Sequence, residues 1–281
     1  MLLLFDIGGT NMRIGVSDDG ETITKSKIVP TPQDFNQGIL VLKQTADELS
    51  GGEKITGVAG GVPGPLDKEK SMQVASAQLP NWIEKPLKTE LKKAYNVVVH
   101  LENDTALVGL GEATKGAGRG KSIVAYLGIG TGVGGVRIVD QKIDKNSLGF
   151  EPGHQIIVAD GNLCNCGGKG HLEAYVSGTY FPMLYHQKGE DITDPAIWDK
   201  ISKYLAIGLN NTIVHWSPDI VILGGSVSAS LPLEKVQLYL KEYLTIFPQA
   251  PEIVKATLYQ DSGLYGALQL LKVIEYTLMP L

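Results

Sequence analysis

The chain has few cysteines, no excess of positive charge and no long apolar segment, and each shortage excludes a class of protein. Two cysteines in 281 residues cannot form the disulfide framework of a small secreted protein. The formal net charge of −5 gives no support to a basic surface for nucleic acid. No apolar segment approaches the roughly 18 residues that a membrane helix needs. We therefore expect a cytoplasmic protein with no nucleic-acid or membrane partner.

The order of predicted strands and helices indicates a repeated α/β unit. Apolar runs at Leu2–Phe5 and Met12–Ser17 flank one glycine-rich turn, and runs at Ser122–Leu127 and Val133–Val139 flank a second. Apolar spacing predicts further strands at 22–28, 55–60, 97–101, 219–223 and 252–256, and helices at 35–49, 85–95, 104–115, 195–215, 233–243 and from 263 onward. This repeat predicts two α/β domains that face each other across a cleft.

The domain boundary is expected where the pattern restarts. The stretch Thr114–Lys121 is rich in glycine and basic residues and separates the two repeats. We therefore expect an N-terminal lobe at 1–117 and a C-terminal lobe at 118–262. The sequence leaves open whether the last helix, 263–281, packs with the N-terminal lobe.

Two glycine-rich turns, DIGGT at Asp6–Thr10 and GIGTGVGG at Gly128–Gly135, each lie between predicted strands. Glycines there permit positive φ, and successive N–H groups form a concavity suited to phosphate oxygens. A strand follows each turn, so neither is a Walker loop or a Rossmann fingerprint. Ordinary hairpin turns are the alternative, but two turns at equivalent places favour phosphate binding. Asp6 is either a Mg²⁺ ligand, directly or through water, or a turn cap.

Six motifs occur in order along nearly the whole chain. They are DIGGT, GVPGPLD (Gly61–Asp67), END (Glu102–Asp104), GIGTGVGG, EPGH (Glu151–His154) and CNCGGKG (Cys164–Gly170). Together they resemble the ROK family of sugar kinases and sugar-responsive repressors. The resemblance implies a two-domain actin/hexokinase-like (ribonuclease H-like) fold and a homodimer. It also implies ATP-dependent phosphorylation of a hexose, glucose or a close relative, at the 6-hydroxyl.

The functional residues of the family map onto matching positions of this chain. Asp104 would be the catalytic base, whereas the alternative for Asn103 and Asp104 is to cap the helix that follows. The alternatives for Glu151 and Glu173 are a loop charge and a solvated helix residue. The resemblance assigns sugar contacts to Gly64, Asn103, Asp104, Glu151, His154 and Glu173. It assigns nucleotide contacts to Gly8, Gly9, Thr10, Thr131, Gly132, Gly224 and Gly225.

Both cysteines lie in one glycine-rich loop with a histidine on each side. The family binds a structural zinc ion with the histidine of its E-x-G-H motif and three cysteines. Here His154, Cys164 and Cys166 match, and His171 stands where the third cysteine usually lies. Imidazole nitrogen is a good zinc ligand, and Cys₂His₂ is a common tetrahedral set. We expect zinc to orient the loop, and the alternative is a metal-free loop with a reducible thiol pair.

Two other functions compete with the hexose kinase. A non-catalytic sugar- or nucleotide-sensing protein would share the fold, but a sensor has no need of Asp104 as a base. An actin- or chaperone-like ATPase would share the phosphate turns but not the END, EPGH and C-x-C motifs. Because the first turn starts at Asp6, we expect no helix-turn-helix domain of the repressor kind. Gln78 stands where the family often has asparagine, which leaves the choice of hexose open.

Overall fold

The computed structural model describes residues 1–76 and 78–278, with side chains described up to residue 273. The chain divides into two compact units. The first comprises 1–116, 145–149 and the chain from 260, and the second comprises 117–144 and 150–259. The division into lobes at 1–117 and 118–262 therefore remains a prediction. Of the last helix, expected at 263–281, residues 279–281 lie outside the described part.

Strands and α-helices follow one another along both units of the chain. The strands are β1 (Leu2–Ile7), β2 (Asn11–Ser17), β3 (Lys25–Pro30), β4 (Gly57–Val62), β5 (Val99–Asn103), β6 (Ile123–Ile129), β7 (Val133–Val139), β8 (Lys142–Ile143), β9 (Ile220–Gly224) and β10 (Glu252–Lys255). The helices are α1 (Phe35–Ser50), α2 (Leu87–Tyr95), α3 (Asp104–Thr114), α4 (Glu173–Val176), α5 (Phe181–Tyr185), α6 (Pro195–Trp216), α7 (Ser226–Ser230), α8 (Leu233–Tyr243) and α9 (Ser262–Leu278).

Each unit contains a mixed sheet, and the two sheets have the same strand order. The first sheet runs β3-β2-β1-β4-β5, and the second runs β8-β7-β6-β9-β10. In each sheet an antiparallel meander of three strands is continued by two parallel strands. The predicted duplication of one α/β unit is therefore confirmed.

Helices cover both faces of the first sheet, and the alternation of side chains along β1 decides which face carries Asp6. Leu3, Phe5 and Ile7 of β1 belong to a core cluster shared with α1 and α2. On the opposite face, α3 packs against α9, and α9 contacts β1 and β4. Side chains alternate between the faces of a strand. The Asp6 side chain therefore lies on the face covered by α3 and α9.

The longest helix, α6, organises the core of the second unit. It begins after Asp194, whose carboxylate accepts the N–H of Ala196 at 2.8 Å, a standard helix cap. Its buried stripe repeats every four residues (Ile201, Leu205, Leu209 and Ile213), and the helix packs against α8. Within the described residues, neither this helix nor any other is long and apolar enough to span a membrane.

Strand β3 begins later than the sequence predicts. A strand was expected at 22–28, but β3 spans Lys25–Pro30. The carboxylate of Asp19 accepts the N–H groups of Glu21 at 2.7 Å and Thr22 at 2.8 Å. These hydrogen bonds lower the pKa of Asp19. They also close a turn that competes with strand pairing, so the prediction of a strand from residue 22 is wrong.

Gly38 in α1 is required by the packing of Trp82, and its replacement tests this contact. Trp82 is 1% exposed, its indole N–H donates to the Pro32 carbonyl at 3.1 Å, and a Cβ at position 38 would lie 2.1 Å from its ring. Alanine usually stabilises a helix relative to glycine by about 0.5–1 kcal/mol. Here we expect Gly38→Ala to lower the free energy of unfolding by about 1–3 kcal/mol, because the ring must shift within a packed core.

Denaturant unfolding measures this change. Gln37→Ala, at the neighbouring exposed position of the same helix, is the control and should leave the free energy of unfolding within about 0.5 kcal/mol of wild type. A Gly38→Ala protein as stable as the Gln37→Ala protein would contradict the close packing of Trp82 on this helix.

Candidate functional site

The turn between β1 and β2 is held in place by hydrogen bonds to its carbonyl groups. Thr31 donates its N–H to the Thr10 carbonyl at 2.9 Å and its hydroxyl to the Gly8 carbonyl at 2.8 Å. The side-chain amide of Gln33 donates to the Gly9 carbonyl at 3.2 Å. Because these carbonyls are bound by the protein, the peptide planes are oriented before a ligand arrives. The N–H groups of the predicted phosphate turn are therefore fixed in direction, as electrostatic binding of an anion requires.

Asp6 lies at the carboxyl end of β1, beside this turn. Its Oδ2 is 3.6 Å from Nη1 of Arg13, its register partner on β2. At the start of α9, a Cβ on Gly263 would lie 2.4 Å from the same oxygen, so the helix end approaches the carboxylate closely. Burial, and then the negative charge of Asp104, raise the pKa of Asp6 to about 7 against the lowering effect of Arg13. Arg13 was absent from the predicted site, although hairpin register alone places it beside Asp6.

Asn103 and Asp104 join β5 to α3. Asn103 caps the helix, because its Oδ1 accepts the N–H of Ala106 at 3.0 Å, and its Nδ2 donates to the Gly64 carbonyl at 3.1 Å. Asp104 accepts the N–H of Thr105 at 2.7 Å through Oδ1. Burial raises the pKa of Asp104, and the hydrogen bonds from Thr105 oppose this effect. Capping, the alternative role of Asn103, is therefore present, and its amide uses one of two N–H groups for Gly64.

The turn between β6 and β7 is supported in a similar way. Thr179 donates both its N–H, at 3.3 Å, and its hydroxyl, at 2.6 Å, to the carbonyl of Thr131. The end of β9 lies at the same edge of the sheet, since Gly224 pairs with Gly128 of β6. Gly225 has a φ of 87°, and a Cβ there would lie 2.4 Å from a backbone oxygen of β6. The structure thus brings together the predicted nucleotide residues of this unit, Thr131, Gly132, Gly224 and Gly225.

Glu173, expected as a sugar contact, is tied to this second turn. Its Oε2 accepts the N–H of Val133 at 2.8 Å, and a Cβ at Gly132 would lie 2.6 Å from that oxygen. Its Oε1 lies 3.9 Å from Sγ of Cys164. Glu173 is half-buried and connects the turn to the cysteine loop, so it is not a solvated helix residue.

Four side chains that can ligate a metal ion converge in the cysteine loop. Nδ1 of His171 lies 3.4 Å from Nδ1 of His154 and 3.2 Å from Sγ of Cys166. Sγ of Cys164 lies 3.8 Å from Nδ1 of His154, and all four donor atoms lie within 4.8 Å of one another. Zinc bond lengths place the donors of a tetrahedral site roughly 3.3–3.8 Å apart. These residues therefore fit a zinc ion, and His171 completes the set.

The second ring nitrogen of His154 faces away from this cluster. Its Nε2 lies 3.9 Å from Oε2 of Glu151, so the two residues of the EPGH motif that were expected to contact sugar are adjacent. The Glu151 side chain is 52% exposed. A histidine bound to a metal through Nδ1 would keep its Nε2 available for a hydrogen bond.

Two tyrosines that the sequence analysis did not single out support the cysteine loop. The N–H of Asn162 donates to the hydroxyl of Tyr175 at 2.7 Å, and the N–H of Asn165 donates to the hydroxyl of Tyr180 at 2.6 Å. Burial raises the pKa of Tyr180 to about 12, so this hydroxyl stays neutral. In sequence, both tyrosines resemble ordinary core residues, and no motif marks their hydroxyls.

The predicted site residues fall into two groups, one in each unit. The first unit holds Asp6, Gly8, Gly9, Thr10, Gly64, Asn103 and Asp104. The second unit holds Thr131, Gly132, Glu151, His154, Cys164, Cys166, His171, Glu173, Gly224 and Gly225. Each group combines a preorganised glycine turn with carboxylates.

Comparison with known proteins gives matches along nearly the whole chain. A family model described as ROK family matches residues 3–274. A glucokinase from Thermotoga maritima is 30% identical over 96% of this chain and 97% of its own length. An N-acetyl-D-glucosamine kinase from Escherichia coli is 31% identical over 94% of this chain and 96% of its own length.

Solved structures show the same architecture. A ROK hexokinase from Thermus thermophilus has a TM-score of 0.85 at 27% identity, and the match covers 98% of this chain and 99% of that chain. A ROK family glucokinase from Streptomyces griseus, in complex with glucose and AMPPNP, has a TM-score of 0.79 at 26% identity, with 96% and 98% covered. The expected actin/hexokinase-like fold is confirmed.

The raised pKa of Asp6 predicts that this residue destabilises the ligand-free protein at high pH. The carboxyl group titrates near pH 7 when folded and near its ordinary value of 3.8 when unfolded. Between these values the folded state binds more protons, so stability falls as the pH rises. Above pH 7 the charged carboxylate lowers the free energy of unfolding by roughly 4 kcal/mol. We therefore expect Asp6→Asn to raise the melting temperature at pH 8 and to change it little at pH 4.

Thermal unfolding without nucleotide or Mg²⁺ measures this difference. Asp18→Asn, which removes a carboxylate from an exposed position, is the control and should have little effect at either pH. Equal melting temperatures for Asp6→Asn and wild type at pH 8 would show that Asp6 does not bear this electrostatic penalty.

Proposed function

Because the chain belongs to the ROK family, we propose that it is a hexose kinase that transfers the γ-phosphoryl group of ATP to the 6-hydroxyl of glucose or a close relative. Relatives named glucokinase and N-acetyl-D-glucosamine kinase support this proposal. The observation that carries it is Asp104, a half-buried carboxylate at the start of α3 whose negative charge raises the pKa of Asp6 beside the first glycine turn.

Asp104 is proposed as the catalytic base. The proton of the sugar hydroxyl passes to its carboxylate while the hydroxyl oxygen bonds to the γ-phosphorus. The bond from that phosphorus to the bridging oxygen breaks, and ADP leaves. The hydrogen bond from Thr105 to Oδ1 fixes the carboxylate plane and favours Oδ2 as the proton acceptor. A raised pKa supports this role, because a base with a pKa nearer the working pH accepts a proton more readily.

The nucleotide contacts are proposed as the family resemblance assigns them, in the glycine turns and at the end of β9. N–H groups of Gly9–Thr10 and Thr131–Gly132 suit phosphate oxygens, and Gly224–Gly225 is assigned to adenosine. The N–H of Gly8 already donates to the Asn11 carbonyl at 2.9 Å, so Gly8 is proposed to contact the nucleotide without this donor. Asp6 is proposed to hold Mg²⁺, directly or through water. A cation beside Asp6 would relieve its repulsion with Asp104 and would neutralise charge on the transferring group. Most of the rate acceleration is attributed to this neutralisation and to positioning.

The sugar contacts are proposed as the family resemblance assigns them. Hydroxyl groups both donate and accept, and carboxylates, amides and imidazole satisfy them with directional bonds. The proposed contacts are Gly64, Asn103, Asp104, Glu151, His154 and Glu173. A structural zinc held by His154, Cys164, Cys166 and His171 would fix the orientation of the loop that carries these second-unit contacts. We also propose a cytoplasmic location and a homodimer, as the family resemblance and the composition indicate.

Turnover with a panel of sugars tests the proposed function. We expect ADP release, measured by a coupled assay with Mg-ATP, for glucose or for one of mannose, fructose and the N-acetylhexosamines. The product should carry phosphate on the 6-hydroxyl, which nuclear magnetic resonance distinguishes from other positions. Sugar binding without turnover of any of these hexoses would instead favour the non-catalytic sugar sensor.

Replacement of the base is the second part of the same test. Asp104→Asn should lower kcat by about 10²–10⁴-fold and leave the sugar dissociation constant close to wild type, because an amide still bonds a hydroxyl. Asp34→Asn is a matched control, since Asp34 is also a carboxylate at a helix start and accepts the N–H of Gln37. A wild-type rate for Asp104→Asn would exclude Asp104 as the base.

Metal content tests the zinc site independently of catalysis. Protein purified without chelator or histidine tag should hold about one equivalent of zinc. His171→Ala should lose more than half of it, whereas His215→Ala, at an exposed position of α6, should keep it. Hydrogen exchange of residues 161–170 should be faster in His171→Ala, because the metal restrains this loop. Less than about half an equivalent in wild type would contradict the zinc assignment.

A further inference from the structure

Glu102 is a buried charged residue that the proposed reaction does not use. It precedes Asn103 and Asp104 in the END motif and is 7% exposed. Its Oε1 accepts the N–H of Asn103 at 3.0 Å. A carboxylate at this depth is strongly unfavourable unless a cation pairs with it. The strand end that carries Asp104 therefore depends on how the charge of Glu102 is neutralised.

Lys70 supplies that cation from a neighbouring hairpin. Its Nζ forms an ion pair and hydrogen bond with Oε2 of Glu102, and its side chain remains 45% exposed. Lys70 lies at the tip of the hairpin 63–74, with a φ of 46°. A left-handed backbone is unfavourable at a lysine, because its Cβ crowds the backbone. The hairpin keeps this strained conformation, and the conformation aims the lysine at Glu102.

The hairpin tip is built tightly enough to hold that conformation. The carboxylate of Asp67 accepts the N–H of Ser71 at 2.5 Å, its hydroxyl at 2.7 Å and the N–H of Met72 at 3.0 Å. The N–H of Lys70 donates to the Asp67 carbonyl at 2.9 Å. These bonds to the carboxylate lower the pKa of Asp67 although burial opposes them. The tip is thus a closed turn rather than a loose loop.

A second bond joins the base of the hairpin to the same strand end. Nδ2 of Asn103 donates to the Gly64 carbonyl at 3.1 Å. Gly64 has a φ of 84°, and a Cβ there would lie 2.1 Å from the Ala75 carbonyl oxygen. Consecutive residues of the END motif are therefore each bound to the hairpin, Glu102 at its tip and Asn103 at its base. The residue that follows them is Asp104.

We propose that Lys70 is a positioning residue for phosphoryl transfer: it neutralises Glu102 and, with the Asn103–Gly64 bond, fixes the strand end that presents Asp104 to the sugar. The inference rests on the role proposed for Asp104. Without Lys70, Glu102 carries an unpaired charge next to the catalytic turn and must move toward water. That movement shifts the Asn103 N–H to which Glu102 is bound, and with it the base.

Substitution of Lys70 in the full-length enzyme tests the proposal. Lys70→Met, which keeps the length of the side chain, should lower kcat about tenfold, since a misplacement of about 1 Å can lower a rate about a hundredfold. The KM for Mg-ATP should stay within about twofold, because Lys70 does not contact the phosphate turns. Lys70→Arg should recover most of the rate.

The matched control is Lys88→Met. Lys88 also donates to this hairpin, at the Glu69 carbonyl and 3.2 Å away, but it does not pair with Glu102. The kcat of Lys88→Met should remain near the wild-type value. A general loosening of the hairpin would lower kcat in both lysine variants, whereas loss of charge neutralisation lowers it only in Lys70→Met. Equal kcat values for Lys70→Met and wild type would overturn the proposal.

A double variant separates positioning from simple loss of stability. Glutamine at position 102 keeps the acceptor for the Asn103 N–H and carries no charge, so Lys70→Met/Glu102→Gln should have a higher kcat than Lys70→Met alone. If Lys70→Met fails to fold, this double variant decides, and a folded double variant that has lost tenfold or more of the rate would overturn the proposal. A wild-type rate for Asp104→Asn would instead remove the proposed base, whatever the lysine variants show.

Discussion

Two half-buried carboxylates at the carboxyl ends of strands in the first sheet, Asp6 and Asp104, constrain the structure around them. Each loses hydration in its charged form, and the negative charge of Asp104 further raises the pKa of Asp6. Arg13 offsets part of the charge of Asp6 at 3.6 Å. The N–H of Thr105 and the start of α3 offset part of the charge of Asp104. A cation bound at Asp6, as proposed, would remove the remaining repulsion. Its binding would then stabilise the protein relative to the ligand-free form.

In each unit a threonine hydroxyl donates a hydrogen bond to a carbonyl of the glycine turn and so orients the turn. In the first unit the hydroxyl of Thr31 donates to the carbonyl of Gly8, and in the second the hydroxyl of Thr179 donates to the carbonyl of Thr131. Each threonine comes from a segment outside its hairpin. A turn whose carbonyls are bound on the protein side presents its N–H groups to a ligand without further ordering, which lowers the entropy lost on binding.

The sequence predicted the elements whose signals are local and missed the contacts that join distant residues. The spacing of apolar residues and the positions of glycines predicted the two turns, β1, β2 and α8. An element that buries one face has apolar residues at regular intervals, and these intervals are visible in the sequence. Strands β4 and β5 extend two residues beyond the predicted ends, and in β5 these are the polar residues Glu102 and Asn103. The four-residue helix α4 and the five-residue helices α5 and α7 are too short to show a helical period. Lys70 and Glu102 lie 32 residues apart, and no local pattern records that they pair.

The carboxylate of Glu173, proposed as a sugar contact, is held by the protein on two sides. One of its oxygens already accepts the N–H of Val133, and the other lies toward Sγ of Cys164. If Glu173 contacts the sugar as proposed, a sugar hydroxyl would meet a carboxylate whose direction is set by the turn on one side and by the cysteine loop on the other. The Glu151 side chain is 52% exposed, so water can satisfy its oxygens when a hydroxyl does not. In the proposed sugar site, discrimination between hexoses would therefore fall more heavily on Glu173 than on Glu151. A misplaced hydroxyl would leave the fixed Glu173 carboxylate unpaired, whereas the exposed Glu151 carboxylate can turn to solvent.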